Sequence, residues 1–256
     1  QGTDTSAALL GMPKEEDWIL HAMMIDKSLL RIPMTFYLNQ RMGHYASRWK
    51  YCELVIDGDY RGVYALVEKI KRDKNRVDIA KLDADDLAGD SVTGGYILRI
   101  DWLDGGGGFE SNYNSLGGDP MFFQWHYPKE VNILPAQASY IESWMAEFES
   151  ALYDPSYTNS QGHRYNHYLG ETSFADFLIT NEISKNSDGY KLSSYVHKDK
   201  ESKGGRLKAG PIWDFDQTYG VSEVCSCDDP TGWTYTQSQS ECEDFDSMPM
   251  WWETLM

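Results

Sequence analysis

Basic residues are scarce in this sequence: 23 Lys and Arg stand against 40 Asp and Glu, a formal charge of −17. That balance excludes a general nucleic-acid binder, which displaces phosphate counterions with a basic stripe. It leaves room for a nucleotide, because a metal ion bridges carboxylates to phosphates. Long apolar runs are also missing, and none approaches the roughly 20 residues of a membrane-spanning helix. Cysteine occurs only at 52, 225, 227 and 242, without CxxC spacing or nearby histidine, which argues against a zinc site. A loop disulfide from Cys242 to Cys225 or Cys227 fits better and implies an oxidising compartment; free thiols are the alternative. Of the six histidines only His163 and His167 have ligand-like spacing, and they sit in a polar, loop-like segment. There is no GxSxG, no glycine loop ending in GK[ST], and neither HRD nor DFG. Serine hydrolases of the nucleophile-elbow type, P-loop enzymes and ordinary protein kinases are therefore set aside.

What is present is aromatic and well patterned. Hydrophobic content of 41% and aromatic content of 14% exclude a disordered chain. Residues 26–42 read as a helix capped by Asp26 and ended by Gly43; because Pro33 lies inside, a start near Pro33 is the alternative. The runs YCELVIDG and YRGVYALVEKI flank Asp57-Gly58, the signature of a tight β-hairpin. A third strand is expected over 94–101, followed by four glycines at 105–108 that read as a flexible loop. Pro135 to Leu152 is a strong helix, with Ile141, Trp144, Met145, Phe148 and Leu152 at helical spacing. Thr172 or Ser173 is placed to cap a second helix, whose apolar face is Phe174, Phe177, Leu178 and Ile183. Two short strands follow, KLSSYVH and RLKAGPIWDF. The order suits a two-lobed α+β enzyme, with a β-rich lobe at 1–134 and a mainly helical lobe at 135–256. The locally basic run Lys69, Lys71, Arg72, Lys74, Arg76 reads as a solvated turn.

The chemistry concentrates in two places. The second helix runs into Asn186-Ser187-Asp188-Gly189, and Trp213-Asp214-Phe215-Asp216 follows beyond the short hairpin. Phosphotransferases of the kinase type use such a pair of loops. One Asp orients the attacking hydroxyl, and a second holds the magnesium that bridges the nucleotide phosphates. Ordinary kinases place a metal-binding Asn five residues after the first Asp. Here that residue is Ser193, a weak ligand. Asp residues in turns also serve as simple turn formers. The paired carboxylates in a Trp- and Tyr-rich chain suit a glycosidase as well, one acid and one base or nucleophile.

The segments LLGMPKEEDWIL, ELVIDGDYRGVYALVEKIKRDKNRVDI, NEISKNSDGYKLSSYVHKD and AGPIWDFDQTYG, in that order, resemble the CotH kinase family, named for a bacterial spore coat protein. The resemblance runs from about Leu9 to Trp252, and WDFDxxxG is its most specific part. It implies a reduced protein-kinase-like fold and ATP- and Mg2+-dependent transfer of phosphate to Ser or Thr of a protein substrate. By motif position it implies Asp188 in the catalytic loop and Asp214 and Asp216 on the metal. It also implies Glu68, with Lys69, near the phosphates or metal, although alternation along a strand puts those two on opposite faces. An upstream RGNS-like segment of the family is missing. The chain opens on Gln1 and ends just after an aromatic cluster, which reads as trimming at both ends of a secreted or surface protein. A non-catalytic member of the family is the remaining alternative.

Overall fold

Residues 5–103, 105–114, 118, 120–235 and 251–255 are described by a computed structural model. Asp57 and Gly58 both adopt positive φ, 52° and 83°, the requirement of a two-residue turn matching the twist of its strands. They join β2 (Trp49–Ile56) to β3 (Asp59–Glu68), as the Asp-Gly signal predicts. A short β1 (Trp18–His21), not expected from the sequence, pairs with the other edge of β3 to complete a three-stranded antiparallel sheet, β1-β3-β2.

The third expected strand, β4 (Tyr96–Ile100), does not join that sheet. It lies at the centre of a second one, ordered β5-β6-β4-β7-β8, with β5 (Gly108–Asn114), β6 (Pro120–Tyr127), β7 (Ser194–Lys198) and β8 (Leu207–Ala209). The glycine run is thus not loop alone, since Gly108 opens β5 and has no room for a side chain. A Cβ there would stand 2.1 Å from the Phe123 carbonyl oxygen. The 134/135 division falls between strands of this one sheet, because β4 pairs directly with β7. The fold is α+β with two antiparallel sheets and, among the described residues, four α-helices.

The first helix, α1 (Arg31–Arg41), starts later than Asp26. Pro33 sits in its first turn, where a missing N–H costs nothing. Asp26 still serves that end, its carboxylate accepting from the backbone N–H of Ser28 (3.0 Å) and of Arg31 (2.8 Å). The second helix, α2 (Pro135–Tyr153), buries the expected stripe. The third, α3 (Glu171–Ser184), begins after Gly170 without a side-chain cap. The Ser173 hydroxyl donates to the Gly170 carbonyl and accepts from the Ala209 N–H, so it ties α3 to β8. Ile183, expected on the apolar face, is exposed. Thr180, Asn181 and Ser184 are buried instead, because this end of α3 packs on polar loops.

Trp251 and Trp252 of the short α4 (Trp251–Leu255) close the core, stacking on Phe123 (5.3 Å) and Phe177 (5.4 Å) respectively. Trp233 is exposed, and Trp213 is half-buried against Phe36. His163 and His167 stack on each other at 4.3 Å beside Tyr168. Cys52 and Cys227 are free thiols; Cys242 and the Cys225 side chain lie outside the described residues.

The core also holds one acid. Glu149 of α2 accepts from the Ser111 hydroxyl (2.6 Å) and the Trp251 indole N–H (2.8 Å). Burial pushes its pKa up to about 7. The folded protein therefore holds this proton where the unfolded chain, near 4.5, has released it. Stability is expected to fall as pH rises from about 4.5 through 7, by about 3 kcal/mol from this group. In Glu149→Gln, urea titrations at pH 5 and pH 8 should show most of that difference gone.

Candidate active site

The loop after α3 is shaped by amides. Lys185 ends the helix with φ of 51°, and the Asn186 amide donates to Asn181 Oδ1 (2.9 Å) while its own Oδ1 accepts from the Asp188 N–H (3.2 Å). Gly189 follows because nothing larger fits. A Cβ would lie 2.7 Å from Asn181 Oδ1 and 3.0 Å from the Asn186 carbonyl oxygen. Asp188 is thereby held at a fixed place at the end of α3.

The second loop is anchored to the first. Phe215, between the two aspartates, is buried, and its carbonyl accepts from the Thr218 hydroxyl (2.6 Å). Tyr219 N–H donates to the Ser184 carbonyl (2.6 Å), and the Ser187 hydroxyl to that of Gln217 (3.4 Å). Arg31 and Thr35 of α1 clamp the same loop through the Thr218 carbonyl (2.9 Å) and the Tyr219 hydroxyl (3.1 Å). Asp214 is held at φ of 61°, a left-handed conformation that a non-glycine residue adopts at a cost.

The acids of the two loops act on one another. Burial, then Asp214, Asp216 and Asp101, push Asp188 up to about 6, against the lowering effect of the buried Lys191. Burial, followed by Asp214, raises Asp216 as well. Ligand atoms of Asp214, Asp216 and His21 lie within 4.8 Å of one another. His21 stands at the end of β1, its Nε2 3.9 Å from Asp214 Oδ1, and the Asp214 carboxylate pulls its pKa up. Two carboxylates within reach of one point, with a third nearby, are a hard oxygen donor set that fits Mg2+ or Mn2+. Their mutual repulsion is what a divalent cation would relieve.

The other expected residues sit differently. Glu68 is fully buried and does not join that cluster. Arg48 grips its Oε1 through Nε (3.1 Å) and Nη2 (2.9 Å), and the Arg48 N–H (3.1 Å) and Tyr45 hydroxyl (3.3 Å) take Oε2. The buried Arg76 stands 3.9 Å away. These partners occupy the carboxylate, so Glu68 works as an internal ion pair. Lys69 is exposed and lines a cleft of about 810 Å³ with Lys71, Arg72, Lys81, Arg99 and Lys129, flanked by Trp125 and Tyr127. The basic run is thus not one solvated turn: Arg76 is core, Lys71 pairs with Glu15 and Asp17, and Lys69 and Arg72 face the cleft.

Ser193 has φ of 47° and immediately precedes Ser194, which pairs with Ile100. Ser193 therefore lies just outside the β4–β7 ladder, whose last pair is Ile100 with Ser194.

A family model described as CotH kinase protein matches residues 1–256, the whole sequence. The chain belongs to the CotH kinase family. A search of curated proteins found no match. Asp188, Asp214 and Asp216, the three acids singled out in the sequence, act on one another in this CotH kinase chain. Sequence reasoning missed His21, Asp101 and Lys191. His21 and Asp101 reach the site only through strand pairing across the molecule, and no local spacing announces that. Lys191 does carry a local signal, a lysine three residues after Asp188.

Proposed function

We propose that this CotH kinase chain is an ATP- and divalent-metal-dependent protein kinase with a Ser or Thr acceptor on a secreted or surface protein. The observation that carries the reading is the convergence of Asp188, Asp214 and Asp216 from two separate loops onto one another. Asp214 and Asp216 would hold the metal, which when bound neutralises phosphate charge and draws electron density from the transferring phosphoryl group. Asp188 accepts the proton of the attacking hydroxyl as its oxygen bonds to the γ-phosphorus and the bond to the β–γ bridging oxygen breaks, releasing ADP. Lys191, buried near that carboxylate, supplies a fixed positive charge beside the phosphoryl group. The cleft lined by Lys69, Arg72, Arg99 and Lys129 suits the nucleotide, a concentration of cations in an otherwise acidic protein. By motif position Ser193 would serve the metal, and the three-stranded sheet takes the part of the small kinase lobe.

The test is transfer of labelled γ-phosphate to protein with Mn2+ or Mg2+ present, alongside calorimetric titration of the metal–ATP complex. Asp188→Asn should keep nucleotide affinity and lose transfer by about 10²–10⁴-fold, the usual worth of a general base. It should also gain stability at neutral pH. Folding raises this carboxyl from 3.8 to about 6, so the wild type loses stability as pH rises through that window. Absence of metal-dependent nucleotide binding by the wild type would remove the kinase reading.

A further inference from the structure

The grouping of His21 with Asp214 and Asp216 suggests a third metal ligand, but the hydrogen bonding of the ring argues otherwise. The backbone N–H of Met23 donates to His21 Nδ1 at 3.1 Å. An imidazole nitrogen that accepts a hydrogen bond carries no proton, so in the neutral ring the proton sits on Nε2. Nε2 is the nitrogen that faces Asp214 Oδ1. A metal-ligating histidine is built the opposite way, with its far nitrogen donating to a carbonyl or carboxylate so that the near one presents a lone pair. Here a backbone donor takes the far nitrogen, and the near one offers N–H. The separation of 3.9 Å is longer than a hydrogen bond, so the contact with Asp214 is electrostatic.

The frame around the ring is rigid. His21 pairs with Ala65 in the β1–β3 ladder, and Ala65 is fully buried. Met23 is buried too, with φ of 49°, and its N–H holds the ring through Nδ1. Asp214 is held at positive φ on its own side. Two strained residues thus hold the His21–Asp214 pair from both ends.

We infer that His21 is a positioning residue whose Nε2–H faces the Asp214 carboxylate and steers it electrostatically, leaving the metal to the carboxylates. This rests on the metal reading of Asp214 and Asp216 above. It adds a second-layer partner from the opposite sheet, so that the small sheet and the WDFD loop are set relative to each other at the metal.

Mn2+ is the probe, titrated with and without ATP into the wild type, His21→Gln and His21→Ala and followed by electron paramagnetic resonance. Gln extends an amide N–H to the reach of Nε2. His21→Ala should weaken Mn2+ about tenfold, within the usual range for a lost outer-layer partner. Gln should restore affinity to within about twofold of the wild type, and pulsed spectra of the wild type should lack the coupling of a directly bound histidine nitrogen. Such a coupling, lost in His21→Ala, would make His21 a ligand and overturn the inference. Unchanged affinity in His21→Ala would overturn it as well. If Ala unfolds, the Gln affinity and the wild-type spectrum decide. A wild type that binds no Mn2+ even with ATP would take down the metal reading itself, an outcome distinct from both of these.

Discussion

Asp214→Asn is expected to lower the affinity for metal–ATP by about 100-fold or more, beyond what losing an outer partner of a metal costs. Thermal unfolding should stay near that of the wild type. Asn is the informative replacement because Asp214 sits at φ of 61°, a region that Asn tolerates and Ala does not. Alanine would add about 1–2 kcal/mol of backbone cost and confuse folding with binding. Asn keeps the shape and removes one negative charge from a cluster in which burial, and then neighbouring carboxylates, raise Asp188 and Asp216. Calorimetric titration of Mg–ATP into the variant is the measurement. Unchanged affinity would mean that Asp214 is a strained turn residue and that the metal lies elsewhere.

Glu68→Ala should be strongly destabilising, at about 3 kcal/mol, the low end of the range for breaking a buried ion pair from one side because Arg48 is partly exposed. Glu68 is fully buried and satisfies Arg48, with the buried Arg76 3.9 Å away. Removing it takes the two-point partner from the part-exposed Arg48 and leaves the buried Arg76 without its nearest carboxylate. Since small domains rest on about 5–15 kcal/mol in total, the variant should unfold at much lower urea. A loss under about 1 kcal/mol would show that solvent, not Glu68, carries those arginines. If nucleotide affinity fell with stability unchanged, Glu68 would be returned to the phosphates, where the motif resemblance had put it.

The two predictions mark where sequence reasoning was strong and where it stopped. Asp214 and Asp216 were legible because the WDFD motif is local and matches a family by residue type. Glu68 was expected near the phosphates or metal, and in the fold its carboxylate is held by Arg48. Strand alternation placed Glu68 and Lys69 on opposite faces, and they do part, one into an ion pair and one onto a cleft. Which of the two faces was the cleft depended on Arg48, just before β2, and Arg76 from the loop after β3, partners that no local pattern names. The basic run likewise read as one solvated feature, yet it divides among core, surface pairing and cleft.

Local chemistry alone determined the β2–β3 hairpin through Asp57-Gly58, the α2 helix through its 3.6-residue apolar stripe, and the family through its motifs. Those features depend on neighbours within a few residues, so the chain states them directly. Tertiary structure decided that β4 joins β7 instead of the first hairpin, that β1 exists, and that His21 and Asp101 stand beside Asp188, Asp214 and Asp216. Strand partners and site neighbours are choices between distant segments, made by how much apolar surface and how many backbone hydrogen bonds each pairing satisfies in the whole. That comparison is global, and no window of sequence contains it.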